Sequence, residues 1–221
     1  MKILMIGNSY TFFNEMPELL QTLARENGKD VTVDSVTKGG RRLCENLDVQ
    51  DEYHQRIKAL LEAHAYDVLI LQEHSLGALL DYEHFESGVS NLMKLIGAKR
   101  SILYATWGRY DGNEKLEQYG WTREGMTFDI DAAYCRTAKK YGAEVAPVGV
   151  TFYRILERHP EAELYHPDLS HPSYTGSCVA AIVHYAKIFG ELPCKYKTLN
   201  LDNEQFTWIA EAVREALGEG S

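Results

Sequence analysis

The sequence predicts an α/β protein, a three-layer α/β/α sandwich around a five-stranded parallel sheet. Three observations carry that expectation. Short apolar runs of strand length alternate with amphipathic helical stretches along the chain. The first run, Lys2 to Ile6, is mostly Ile, Leu and Met, as suits a strand buried on both faces. No internal repeat, low-complexity segment or linker divides the chain, so residues 1–221 read as one domain.

Each element is read from local pattern. Met16 to Glu26 carries Met16, Leu19, Leu20 and Leu23 at helical spacing, and Asn27-Gly28 ends it. Val31 to Val36 alternates as a strand and runs into the loop TKGGRR. A helix is expected over Asp51 to Ala65, a strand over Asp67 to Leu71, a helix over Glu83 to Ile96 and a strand over Ser101 to Thr106. Asp129 to Tyr141 reads as a helix stopped by Gly142, with the strand Glu144 to Val148 after it. From there the chain is expected to lead directly towards YHPDLSHPSYTGS, and Tyr174 to Phe189 and Glu204 to Leu217 close it as helices. Two strand orders suit this pattern, a Rossmann-like one and the flavodoxin-like order 2-1-3-4-5, of which the second is expected.

Composition excludes several classes. A net charge of −9, with no basic run longer than two residues, argues against nucleic acid or an anionic membrane surface as partner. The longest apolar runs, such as VLIL, are strand-sized, so no membrane span is expected. ILMI is too short for the apolar region of a signal peptide, and the four widely spaced cysteines show no CxxC pairing. Together these favour free thiols and a cytoplasmic location. There is no GxGxxG, P-loop, HExxH or Cys/His cluster, so neither a cofactor nor a metal is expected. His166 and His171 are the nearest pair for a metal and lack support.

The chemistry lies in the residues just beyond each strand. In a parallel sheet the carboxyl ends share one side, and ligands bind there near the reversal of strand order. The tips read Gly7-Asn8-Ser9, Gly39-Gly40-Arg41, Gln72-Glu73-His74-Ser75 and Trp107-Gly108-Arg109. Ser9 is either a helix cap or a nucleophile. A serine hydroxyl needs a base, and the base needs orienting. DLSH supplies both: Asp168 reaches one imidazole nitrogen of His171 from one turn away and leaves the other facing Ser9.

These blocks, in this order along most of the chain, resemble the SGNH (GDSL-like) hydrolase superfamily. Gly7-Asn8-Ser9 stands where that family has Gly-Asp-Ser, Gly40 at the second block's glycine, and Asp168-x-x-His171-Pro172 at the final block. The third block departs from the family's Gly-x-Asn-Asp: His74 stands at the asparagine's place by register, and Gln72 is the alternative because its amide is the closer chemical substitute. The QE form is similar to a variant subgroup that includes carbohydrate esterases. The resemblance implies a serine esterase acting on small acyl esters, acetyl esters foremost, with Ser9 as nucleophile, His171 as base and Asp168 as orienting acid. The N–H groups of Ser9 and Gly40, with Gln72 or His74, are the expected oxyanion donors, and Asn8 and Trp107 the expected substrate contacts. A lysophospholipase or thioesterase of the same fold, a flavodoxin-like phosphate-binding module and a non-catalytic carbohydrate binder are the competing readings. Asp111 to Arg123, polar, aromatic and with Gly112 and Gly120 as hinges, is a candidate lid.

Overall fold

A computed structural model of the chain describes residues 1–218; residues 219–221, included in the expected domain, lie outside the described residues. Five parallel strands, β1 (Lys2–Gly7), β2 (Thr32–Thr37), β3 (Val68–Leu71), β4 (Arg100–Ala105) and β5 (Glu144–Pro147), form one sheet in the order β2-β1-β3-β4-β5. The register pairs Ile3 with Val33 on one side and with Val68 on the other, which seats β1 between β2 and β3. The helices are α1 (Ser9–Phe12), α2 (Met16–Glu26), α3 (Glu52–Ala63), α4 (Gly77–Leu80), α5 (Tyr82–Ile96), α6 (Glu114–Tyr119), α7 (Arg123–Tyr141), α8 (Val148–Arg158), α9 (Tyr174–Phe189) and α10 (Asn203–Gly218).

Strand side chains alternate between two cores. Ile3, Met5, Val68, Ile70, Ile102 and Tyr104 pack with Leu20 and Leu23 of α2, Phe152 of α8, Val179 and Val183 of α9, and Val213 of α10. Leu4, Ile6, Leu69, Leu71 and Leu103 pack on the other face with Ile57 of α3, Val89 of α5 and Ile130 of α7. The three layers result from that alternation. Among the described residues, no helix is long and apolar enough to cross a membrane.

Three differences from the expected elements have local causes. Helix α8 occupies a stretch with no helix expected, because Val-Gly-Val-Thr-Phe is rich in residues that favour strands. Tertiary packing wins there: Phe152, Ile155 and Leu156 fill the first core. Helix α7 starts at Arg123 rather than Asp129, since the Thr122 side chain accepts from the Gly125 N–H and caps it earlier. The candidate lid is anchored rather than free. It forms α6, buries Leu116, and meets the Asp168 turn, with the Asn113 amide NH₂ donating to the Asp168 and Leu169 carbonyls at 3.4 and 3.5 Å.

Candidate active site

Strand β1 hands over to a helix of only four residues, and Asn8 caps it: the Asn8 side chain accepts from the Tyr10 N–H at 3.2 Å. Its amide NH₂ donates to the Arg41 carbonyl at 3.0 Å, joining the first strand tip to the loop after β2. With capping done by Asn8, the Ser9 hydroxyl is left for other work. It lies 2.8 Å from Nε2 of His171, and Nδ1 of His171 lies 2.6 Å from Oδ2 of Asp168.

The chain from Tyr165 to Pro172 is built to hold that histidine. Tyr165 and Pro172 form an antiparallel bridge, and the His166 N–H donates to the His171 carbonyl at 2.8 Å. Leu169 takes a left-handed φ of 59°, unusual for a branched apolar side chain and a place where the turn carries strain. The tight turn lets Oδ1 of Asp168 accept from the N–H groups of Ser170 and His171, at 3.0 and 2.9 Å. Burial opposes ionisation of Asp168, but its bonds to the His171 ring and to these two N–H groups outweigh it and hold the carboxyl below its ordinary value. Phe13 stacks on the His171 ring at 4.3 Å, and Tyr10 meets it edge-on at 5.4 Å. The Tyr10 hydroxyl is 2.8 Å from Ser170 Oγ, so the aromatic wall is tied to the same turn.

Ser9 and His171 open on a pocket of about 360 Å³ lined also by Asn8, Tyr10, Gly39, Gly40, His74, Ser75, Arg109 and Ser170. Gly40 has φ 71°, the left-handed conformation that favours glycine. His74 takes the Leu76 N–H on Nδ1 at 3.4 Å, which puts the ring proton on Nε2. Burial, then the charges of Arg109 and Arg42, lower its pKa and keep the ring neutral. Behind it, Glu73 accepts from the His74 N–H at 2.7 Å and the Leu43 N–H at 3.1 Å, and burial pushes its carboxyl up to about 7.

The structure brings Ser9, Asp168, His171, Gly40, His74 and Asn8 to this one place, and corrects two expectations. Gln72 is 1% exposed and turned away from the pocket. Its carbonyl oxygen accepts from the Asn8 N–H and the Thr11 hydroxyl, both at 2.9 Å, and its amide donates to the Glu73 carbonyl. It braces β1 against β3 and is not positioned to serve an oxyanion. Trp107 is fully buried, stacked between Tyr10 at 4.8 Å and Phe152 at 4.2 Å, with its indole N–H on the Ser170 carbonyl. It supports the wall from behind and does not face the pocket. Asn8 reaches the wall, but its side chain is spent on the cap and on Arg41. Sequence reasoning missed Arg109 and Ser75, which do face the pocket, and Phe13, which holds His171. Their positions after the ends of β4, β3 and β1 were the available signal.

The chain is similar to a protein from Slackia heliotrinireducens assigned as an SGNH hydrolase: 31% identity, 85% of this chain and 98% of that one covered, TM-score 0.73. The chain belongs to the SGNH hydrolase superfamily. As an SGNH hydrolase it is a serine hydrolase acting on ester bonds. A DUF4886 family protein from Bacteroides uniformis (17% identity, 98% and 94% covered, TM-score 0.81) shares the SGNH hydrolase's fold. So does an acetylxylan esterase from Geobacillus stearothermophilus (17% identity, 85% and 94% covered, TM-score 0.60). No family model matches the chain, and no curated protein matches it in sequence.

Proposed function

We propose that the protein is a serine esterase releasing small acyl groups through a Ser9–His171–Asp168 triad. The observation that carries this reading is the unbroken chain of contacts from Ser9 Oγ to His171 Nε2 and from His171 Nδ1 to Asp168, opening on a pocket. Ser9 attacks the ester carbonyl as His171 takes its proton. The imidazolium, held in orientation and stabilised by Asp168, then returns that proton to the leaving alcohol, and water repeats the sequence on the acyl-enzyme. Gly40 and Ser9 supply backbone N–H groups to the oxyanion. His74 supplies the third donor through its protonated Nε2, replacing the asparagine usual in the family. One such donor is worth ~10²–10³ in rate.

A short acyl group is favoured because, among the described residues, no aliphatic side chain lines the pocket, which leaves a long acyl chain nothing aliphatic to bury against. That observation disfavours the lysophospholipase reading. The acetylxylan esterase among the similar structures supports an acetyl group on a carbohydrate as the natural class. A phosphate-binding module has no use for His171 and Asp168 in this arrangement.

The test is hydrolysis of p-nitrophenyl acetate, butyrate and octanoate by wild type and Ser9→Ala. Acetate is expected to be the best substrate, octanoate the poorest, and the variant to lose at least ~10³ in kcat. An inert wild type, or an active variant, overturns the reading.

A further inference from the structure

Among the described residues, Arg109 is the one arginine or lysine lining the pocket, and its charge is left unpaired. Its guanidinium makes one hydrogen bond there, from Nη2 to Ser75 Oγ at 2.8 Å, and no described carboxylate lies within ion-pair distance. Its Nε is buried with no hydrogen-bond partner among the described residues. The other arginines at this end of the sheet behave differently. Arg41 is bonded to Asp51, Asn46 and the Glu45 carbonyl, Arg42 to Asp81, and Arg123 to Asp111. The Arg109 guanidinium is half-buried, one of its donors is buried without a described partner, and its remaining N–H groups are open to an anion in the pocket.

Arg109 is also held in place. Its own N–H donates to Met126 Sδ at 3.4 Å, and the preceding Gly108 N–H donates to Thr127 Oγ1 at 2.9 Å. The guanidinium carbon lies 5.8 Å from the centre of the Tyr10 ring, the same ring that meets His171 edge-on. Because the strand order is β2-β1-β3-β4-β5, Arg109 after β4 stands across Ser9 from Gly40 after β2. Gly40 and Arg109 therefore flank Ser9 from opposite sides, with His74 and Ser75 of the β3 tip between Ser9 and Arg109.

We propose that Arg109, with the Ser75 hydroxyl, forms an anion subsite beside the nucleophile, so that the ester hydrolysed carries a carboxylate or similar anionic group next to its scissile bond. This rests on the esterase reading and adds the substrate's charge to it. A planar guanidinium with free N–H groups suits a carboxylate in two-point contact. The anion belongs to either the acyl or the alcohol half of the ester, and two substrate pairs separate these sources.

The experiment measures kcat/KM for monoethyl succinate against ethyl butyrate, and for para-acetoxybenzoate against para-acetoxybenzamide, in wild type, Arg109→Gln and Arg109→Lys. Wild type is expected to prefer the anionic member of one pair by at least ~10-fold, the preference falling ~10–100-fold in Arg109→Gln and partly returning in Arg109→Lys. The first pair reports an anionic acyl group, the second an anionic alcohol. Equal rates within both pairs, or an Arg109→Gln loss that is the same for anionic and neutral esters, overturns the proposal. Succinate and benzoate are also titrated calorimetrically into wild type and Arg109→Gln. Saturable binding weakened at least ~10-fold by the variant supports the subsite, and no binding of either anion contradicts it. If all four esters are inert the esterase reading fails, and these titrations still decide the subsite.

Discussion

Two histidines show how much a ring's surroundings decide. His171 has a hydroxyl on one nitrogen, a carboxylate on the other and a phenyl ring on its face. His184, in the middle of α9, is fully buried with neither nitrogen hydrogen-bonded among the described residues, set edge-on against Tyr104 at 4.5 Å. Burial lowers its pKa to about 3. The unfolded chain carries an ordinary histidine, so between pH ~6.5 and ~3 the unfolded state binds the extra proton. Stability from this residue is complete above pH ~6.5 and drains away as pH falls, at up to ~1.4 kcal/mol per pH unit. Urea unfolding at pH 7, 6 and 5 is expected to show a slope in wild type that is smaller by that amount in His184→Leu. Identical slopes contradict the assignment. Sequence reasoning singled out Ser9, Asp168 and His171, which the fold brings together, because their types, order and spacing have one joint chemical use. It could not decide between Gln72 and His74, since both come after β3 and only the folded strand shows Gln72 turned onto the Asn8 N–H. Arg109 was silent for a simpler reason: an arginine whose charge is unpaired in a pocket is written like one on the surface.

At the scale of elements, the active side of the sheet depends on close approach behind it. Helix α8 begins against the end of β4, and a Cβ on Gly149 would lie 2.1 Å from the Thr106 carbonyl oxygen. Trp107, next along, stacks on Phe152 of the same helix and on Tyr10. Gly149→Ala must therefore push α8 from the sheet or distort the strand end. It is expected to destabilise the fold by about 1–3 kcal/mol in urea unfolding. A variant as stable as wild type would show that α8 does not press on the strand end. The strands, α2 and α9 were legible because their apolar stretches have strand or helix length and Gly or Asn-Gly ends the helices. Helix α8 was not, because β-branched residues and a glycine hide a helix whose stability comes from packing. Trp107 was misread for a related reason: position after a strand does not say which way a ring turns, and this one completes the core.

For the whole molecule, the topology does the assembling. The order β2-β1-β3-β4-β5 makes neighbours of three strand tips that are far apart in sequence, and the turn before α9 brings His171 back over the first of them. Ser9 and His171 are separated by 162 positions yet stand 2.8 Å apart. If that contact makes Ser9 the nucleophile, a fluorophosphonate must react there and depend on the histidine. The adduct is mapped by peptide mass spectrometry in wild type and His171→Ala. One phosphonyl adduct on Ser9, formed at least ~10²-fold more slowly without the histidine, is the predicted result. An unlabelled Ser9, an adduct on another residue accompanied by loss of activity, or labelling unchanged in His171→Ala would contradict it.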